Sequence, residues 1–341
     1  MSVMSIRLPA EWEPQSAVQF TFPHKDSDWK DYLEMVIPCF VECINAVARF
    51  QKVLVVCRQL TDLEPYLSRV HNDRLILVEI PSNDTWARDH GAITVFEEGQ
   101  PVLLDFMFNG WGLKFPADRD NLITGQLFRK GIFKTEKLRL GGLVLEGGGI
   151  ESDGQGTLLT TVSCMLSPNR NPHLSQSDLA SQLKALFGLE RILWLHHGYL
   201  AGDDTDAHID TLARFCNPET IAYVQCTDHK DEHFDALRQM ELELQAFKTM
   251  EGQSYRLVPL PMPTACYDAD GNRLPATYAN FLIINEAVLL PVYGVPEDEQ
   301  ALAQLQLCFP ERIILPINCR ALIEQHGSLH CISMQFPEGL V

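Results

Sequence analysis

The stretch SQSDLASQLKALFGLERILWLH (175–196) decides how the chain is read. A helical pattern from Ser175 to Phe187 runs, after a short break, into the strand-like ILWLH (192–196). The same order occurs four more times. Asp31 to Phe50 precedes VLVVC (53–57), and a weaker pattern, Asn121 to Phe133, precedes KLRL (137–140). Glu232 to Phe247 precedes RLVPL (256–260), and Glu297 to Cys308 precedes IILPI (313–317). Most units continue through a polar, Gly-containing loop into a further β-rich run: AITVF, TLLTT, IAYV and FLIIN. A helix recurring once per strand group predicts α/β units, each covering its own sheet. Even recurrence points to a repeat architecture. An irregular α/β fold that merely divides into five is the alternative the pattern leaves open.

Composition narrows the function classes. The chain has 341 residues, 46% of them apolar and 21% charged, as in a globular protein able to bury a sizeable core. No linker, low-complexity tract or charge block divides it, so residues 1–341 read as one domain. With 27 Lys+Arg against 45 Asp+Glu the net charge is −18, which argues against a nucleic-acid binder and a polybasic membrane-surface protein. That charge favours cationic partners, or serves solubility. No stretch is apolar and long enough to span a bilayer, and the N-terminus lacks the basic and apolar regions of a secretory signal. The ten cysteines form no C-x-x-C pair and read as reduced, mostly buried thiols, so a cytoplasmic protein is expected.

The loops of the five units carry the chemistry. They are TWARDHGA (85–92), LEGGGIESDGQGT (145–157), GDDTDAHIDTLARF (202–215), ATYANF (276–281) and HGSLHCISMQFP (326–337). If five similar units surround an axis, these loops converge and bring together Asp89, Glu146, His208, Asp210 and Cys331. A thiol becomes a useful nucleophile only beside a base or a positive charge, and His208 is the candidate partner of Cys331. Asp206, His208 and Asp210 alternate, so an extended segment points them to one side. An EF-hand reading fails, because Ile209 and Phe215 stand where that loop needs Gly and Glu. A zinc reading lacks further His or Cys at short spacing. A general base beside an orienting carboxylate fits better. The glycines of EGGGIESDGQG match neither a dinucleotide nor a P-loop pattern.

Taken in order, LPAEWEPQSAVQFTFPH (8–24), WARDHG, FNGWGLKF (108–115), LEGGGI, TLLTT with NRNP (169–172), DTDAHID followed by ARF, ATYANF and the HC of HGSLHCISMQFP resemble the agmatine deiminase and bacterial-type peptidyl-arginine deiminase family of guanidine-modifying enzymes. The resemblance covers nearly the whole chain. It implies a pentein fold, a five-bladed α/β propeller of ββαβ-type repeats with pseudo-fivefold symmetry. It further implies Cys331 as nucleophile, His208 as acid/base, and Asp89 and Asp210 as the carboxylates that hold a guanidinium. Glu146, Trp86 and Trp111 would bind substrate. No metal or organic cofactor is implied. The expected partner is a small cationic guanidine, and a homo-oligomer is compatible with the reading.

A guanidinium stays protonated at neutral pH and offers planar donors for carboxylate pairing, so acids such as Asp89 and Asp210 suit it. Attack by the Cys331 thiolate would then give a thiouronium, with His208 protonating the departing ammonia and afterwards activating water. The substrate implied is agmatine, giving N-carbamoylputrescine on the way to putrescine. Free or peptidyl arginine, amidino transfer and a non-catalytic guanidine-binding protein are the alternatives. The chain departs from the family pattern at Ala92, where proline is usual, and at Val162, where an acid is common. It also departs at Asp204 and Ala207, where glycines are usual, at Thr211 in place of Asn, and in HGSL before HC, where the lead is usually Gly-rich.

Overall fold

The computed structural model describes residues 6–69 and 72–341. Five helices, α1 (Leu33–Ala48), α2 (Ile123–Arg129), α3 (Gln176–Phe187), α4 (Phe234–Ala246) and α5 (Glu297–Cys308), coincide with the five helical patterns. They lead into the strands Lys52–Cys57, Leu138–Val144, Arg191–Leu195, Arg256–Pro261 and Ile313–Asn318.

Local rules set the boundaries. At the start of α3 the Ser175 hydroxyl accepts the Asp178 amide at 3.2 Å while the Asp178 carboxylate accepts the Ser175 amide at 3.2 Å, a reciprocal capping box. The helix ends at Gly188, whose φ of +67° closes the last turn. A methyl group there would stand 1.9 Å from the Ile6 carbonyl oxygen, so glycine is required both by conformation and by space. Helix α1 buries Val36, Phe40, Cys43 and Val47 and packs on the strands Lys52–Cys57 and Ile313–Asn318, which belong to different sheets.

The described strands form five sheets with one recurring pattern. The strand before each helix pairs parallel with the strand after it, and antiparallel with the strand that precedes it. Thus Thr220–Gln225 lies parallel to Arg256–Pro261 and antiparallel to Ala213–Asn217. Parallel neighbours need a crossover connection, and the helices supply it. In the sheet built on Gln15–Thr21 the preceding strand comes from the other end of the chain. Ser333–Pro337 pairs antiparallel with Gln15–Thr21, which lies parallel to Lys52–Cys57. Two strands extend the pattern, Ile6–Arg7 and Leu75–Glu79. The fold is therefore mixed α/β. Among the described residues no helix is long and apolar enough to cross a membrane.

Gly188→Ala should destabilise the protein by more than about 1 kcal/mol, since an L-residue pays that much in the left-handed region before any clash is counted. Urea unfolding followed by circular dichroism measures it.

Candidate active site

Each sheet delivers one short loop to the same place. Asp89 lies in the helical turn Ala87–His90, just before the strand Ile93–Glu97. Glu146 precedes the strand Ile150–Ser152, and His208 and Asp210 precede Ala213–Asn217. Asn280 precedes Leu282–Ile284, and Cys331 precedes Ser333–Pro337. All six of these residues are buried. Equivalent positions in five repeats thus present one convergent set.

Gly148 marks where they meet. A methyl group there would lie 2.6 Å from His208 Nδ1, 2.9 Å from Asp89 Oδ1 and 3.2 Å from Asp210 Oδ2. Asp89 is fixed by two donors, the Gly148 amide to Oδ1 at 3.1 Å and the Trp111 indole to Oδ2 at 2.9 Å. His208 Nδ1 is 3.6 Å from Asp89 Oδ1 and its Nε2 is 3.8 Å from Glu146 Oε2. Neither ring nitrogen has a hydrogen-bond partner among the described residues. Cys331 Sγ lies 3.4 Å from Asn280 Oδ1 and 3.9 Å from Asp210 Oδ2. Asn280 ties two loops together: Oδ1 accepts the amides of His330 (2.9 Å) and Cys331 (3.3 Å), and Nδ2 donates to the Asp210 carbonyl (3.3 Å).

A cavity of roughly 580 Å³, including its open mouth, leads to Cys331 and Asp89. Trp86, Trp111 and Phe115 form its aromatic walls, with Trp86 and Trp111 edge-to-face at 6.3 Å. Asp28, Asp84 and Asp204 stand along it, and its lining among the described residues contains no Lys or Arg. Asp84 holds the walls in place by accepting the indole N–H groups of Trp29 and Trp86, each at 2.9 Å.

Burial decides the protonation states together with the neighbouring charges. Burial lifts the Asp89 pKa to about 6, against the pull of His208 and with repulsion from Asp210 and Glu146 adding to it. Burial alone would lower the His208 pKa, but Asp89, Cys164 and Glu146 outweigh it and hold it well above the usual value. The Cys331 thiol is pushed well up, first by burial and then by Asp210 and Asp89. Asp210 moves the other way: burial alone would raise it, but the bond to His330 together with the positive surroundings of His330, His208 and Arg214 holds it below the usual value.

The structure brings Asp89, Asp210, His208 and Cys331 together; Asp89 and Cys331 line the cavity with Trp86 and Trp111, whereas His208 and Asp210 are fully buried and do not. Glu146 does not line it. Both Glu146 oxygens receive Nε of Arg170, at 2.8 and 3.0 Å, behind the imidazole of His208. Arg170 also reaches Asp206 (2.6 Å) and the Thr205 carbonyl (2.9 Å), so it clamps the loop that carries His208. Arg170, Asn280, His330 and Gly148 were not singled out from the sequence. Their signal was present, since they lie in NRNP, ATYANF, HC and LEGGGI. Cys164, one of the ten buried thiols, stands beside His208 and Glu146, the three offering ligand atoms within 4.8 Å of one another. In that set, and in the similar set Glu11, Glu151 and His330, an arginine already engages the carboxylates, Arg170 in one and Arg214 in the other.

The departures from the family pattern also have a structural outcome. Ala207, where glycine is usual, adopts φ +65° and follows Asp206 at φ +67°. Two L-residues in the left-handed region cost about 1–2 kcal/mol each. The Ala207 amide bond to Asp203 (2.7 Å) and the Arg170 and Lys114 bonds to Asp206 hold them there.

Gly148→Ala should reduce kcat/KM by about 100-fold or more while leaving the folded circular-dichroism spectrum intact, because the methyl displaces three site groups at once. Steady-state kinetics beside thermal melting checks both halves.

Comparison with known proteins shows the family. The family model described as Porphyromonas-type peptidyl-arginine deiminase matches residues 7–337. An agmatine deiminase of Pseudomonas aeruginosa is 32% identical over 354 residues, covering 97% of this chain and 95% of that protein. A structure from Porphyromonas gingivalis, provisionally named an arginine deiminase, is 50% identical with a TM-score of 0.94, covering 98% of this chain and 99% of its own. A Cys-to-Ser variant of C. jejuni agmatine deiminase with substrate bound is 38% identical with a TM-score of 0.94, over 100% and 99% of the two chains. The chain belongs to the Porphyromonas-type peptidyl-arginine deiminase family.

Proposed function

We propose that the protein is a cytoplasmic agmatine deiminase, converting agmatine and water to N-carbamoylputrescine and ammonia and so feeding putrescine formation. The observation that carries this reading is the cavity: a thiol and a carboxylate at its floor, aromatic walls, and acids without Lys or Arg along its length. A substrate with a guanidinium at one end and an ammonium at the other matches both ends. An α-carboxylate would meet Asp28, Asp84 and Asp204 instead of a cation. The ten free, buried thiols suit a reducing compartment.

The mechanism follows from the protonation states. Asp89 and the unpartnered Asp210 Oδ1 receive the guanidinium, which would be costly to bury unpaired. Its positive charge offsets what keeps the Cys331 thiol neutral, so the proton leaves to solvent and the thiolate attacks the central carbon. His208, held protonated, gives its proton to the departing nitrogen and ammonia leaves a thiouronium on Sγ. Neutral His208 then takes a proton from water, whose oxygen adds to the same carbon. Collapse breaks the C–S bond, the hydroxyl proton passing to the leaving sulfur, and releases the ureido product with Cys331 again a neutral thiol and His208 again protonated. Glu146, neutralised by Arg170, orients His208 from behind. The five ββαβ units act as five blades about a pseudo-fivefold axis, one deiminase domain over residues 1–341, which is what lets one loop per sheet reach one pocket.

Ammonia and ureido-product release should be measured from agmatine, arginine and an arginyl peptide. Agmatine is expected to be the preferred substrate, and Cys331→Ala to abolish turnover. Turnover of arginyl peptide alone would remove the agmatine assignment. Full activity in Cys331→Ala would remove the mechanism. Asp204→Asn should raise KM for agmatine several-fold with kcat little changed, as expected for a screened contact to a distal ammonium. The kcat/KM of wild type should fall as pH drops through about 6, the value at which burial sets Asp89, because protonation removes the carboxylate that the guanidinium needs.

A further inference from the structure

Two motifs take no part in the chemistry above, the N-terminal LPAEWEPQ and the ARF that follows HID, yet they meet behind Asp210. His330 places Nδ1 2.7 Å from Asp210 Oδ2 and Nε2 2.7 Å from Glu11 Oε2. All three groups are buried. An imidazole between two ionised carboxylates satisfies both only as an imidazolium donating from each nitrogen. Glu11 is in turn engaged by Arg214 Nη2 at 3.0 Å, with Arg88 Nη2 at 3.6 Å, and Arg214 pairs through Nε with Glu151. Arg88 also donates its amide to the Cys331 carbonyl at 3.1 Å, so the same cluster touches the nucleophile's loop. Because Oδ2 of Asp210 is committed to His330, Oδ1 is the oxygen left free, buried and without a partner among the described residues.

We propose that Glu11 and His330 are positioning residues, a clamp that fixes the rotation of the Asp210 carboxylate, leaves Oδ1 for the substrate guanidinium, and keeps the group ionised. The role rests on the deiminase reading above. The clamp explains why a glutamate near the start of the chain and the residue beside the nucleophile are both needed at a site neither of them enters. It acts through charge. Asp210 is faced by His330 and His208, by Asp89 as a like charge, by Arg214 and Arg88 at longer range, and by the Cys331 thiol. Glu11 is faced by His330, Arg88, Arg214, Arg312 and Glu151. Neutralising Glu11 removes the anion that favours a doubly protonated His330. Asp210 then loses its imidazolium, its pKa rises, and the form that binds guanidinium disappears at higher pH than before.

The test uses the full-length Glu11→Gln and His330→Gln variants with agmatine. In wild type log(kcat/KM) should steepen by about one in slope as pH falls through about 6, where Asp89 takes a proton, on top of the slope set by the proton that Cys331 gives up to solvent. In both variants the steepening should approach about two, because Asp210 then takes a proton on the same limb. At neutral pH the loss, about tenfold, should appear mainly in KM. An unchanged slope and KM in both variants, or a loss confined to kcat and equal at all pH, overturns the clamp. Nitrogen NMR of ring-labelled histidine gives a second reading that needs no turnover and also serves if Glu11→Gln folds poorly. Wild type should show one ring with both N–H protons far downfield, absent from His330→Gln and reduced to one such proton in Glu11→Gln. A wild-type spectrum without that ring overturns the clamp even if the enzyme is active. A wild type that releases no ammonia from any guanidine overturns the deiminase reading, and the spectrum still decides the clamp.

Discussion

Three carboxylates are buried together, Asp89 and Glu146 within 4 Å of the His208 imidazole and Asp210 against that of His330, and the rest of the site is organised around making that tolerable. An ionised carboxylate out of water costs several kcal/mol unless it is paired and hydrogen-bonded. Each of the three is answered differently. Glu146 has the guanidinium of Arg170, and Asp210 has the imidazole of His330. Asp89 has no arginine; it has an indole, a backbone amide and His208 at 3.6 Å, and its pKa stays high. The cluster is complete only when a further cation arrives. That incompleteness adds to burial in holding the Cys331 thiol neutral in the free protein, and it suits a substrate that brings its own charge.

The scaffold holds this cluster by joining loops from different sheets. Trp111 at φ +55° and Leu113 at φ +69° share a left-handed turn with two glycines, and Asp206 and Ala207 form a second such turn opposite. Lys114 bridges them, bonding Asp206 at 2.7 Å and the Asp204 carbonyl at 2.6 Å. Strained backbone of this kind persists where the surroundings over-determine it. Here the strain aims the Trp111 indole at Asp89 and the imidazole of His208 into the same pocket.

The sequence carried the mixed α/β order because helical and strand periods alternate five times, most weakly over Asn121 to Phe133. In the structure the capping box at Ser175 and the left-handed Gly188 fix the ends of one of these helices. Cys331, His208, Asp89 and Asp210 stand in the loops between those periods, which is why the sequence offered them as one candidate set. What it could not carry was pairing across long separations. Nothing local tells that Arg170 rather than substrate neutralises Glu146, or that Glu11 reaches His330 across the whole chain. Those residues were visible only as motifs of unassigned purpose. The left-handed Ala207 was likewise hidden, since alanine gives no sign of the conformation that glycine would have announced.

The central claim is that the Cys331 thiolate forms only when a cation occupies the carboxylate cluster. It is tested most directly by comparing alkylation rates at neutral pH with neutral iodoacetamide and cationic 2-chloroacetamidine, locating the label by mass spectrometry. The account predicts that the amidinium reagent labels Cys331 selectively and faster, although chloride is the poorer leaving group, and that agmatine protects it. Equal or faster reaction of iodoacetamide at Cys331, with the pH dependence of an ordinary exposed thiol, would contradict it.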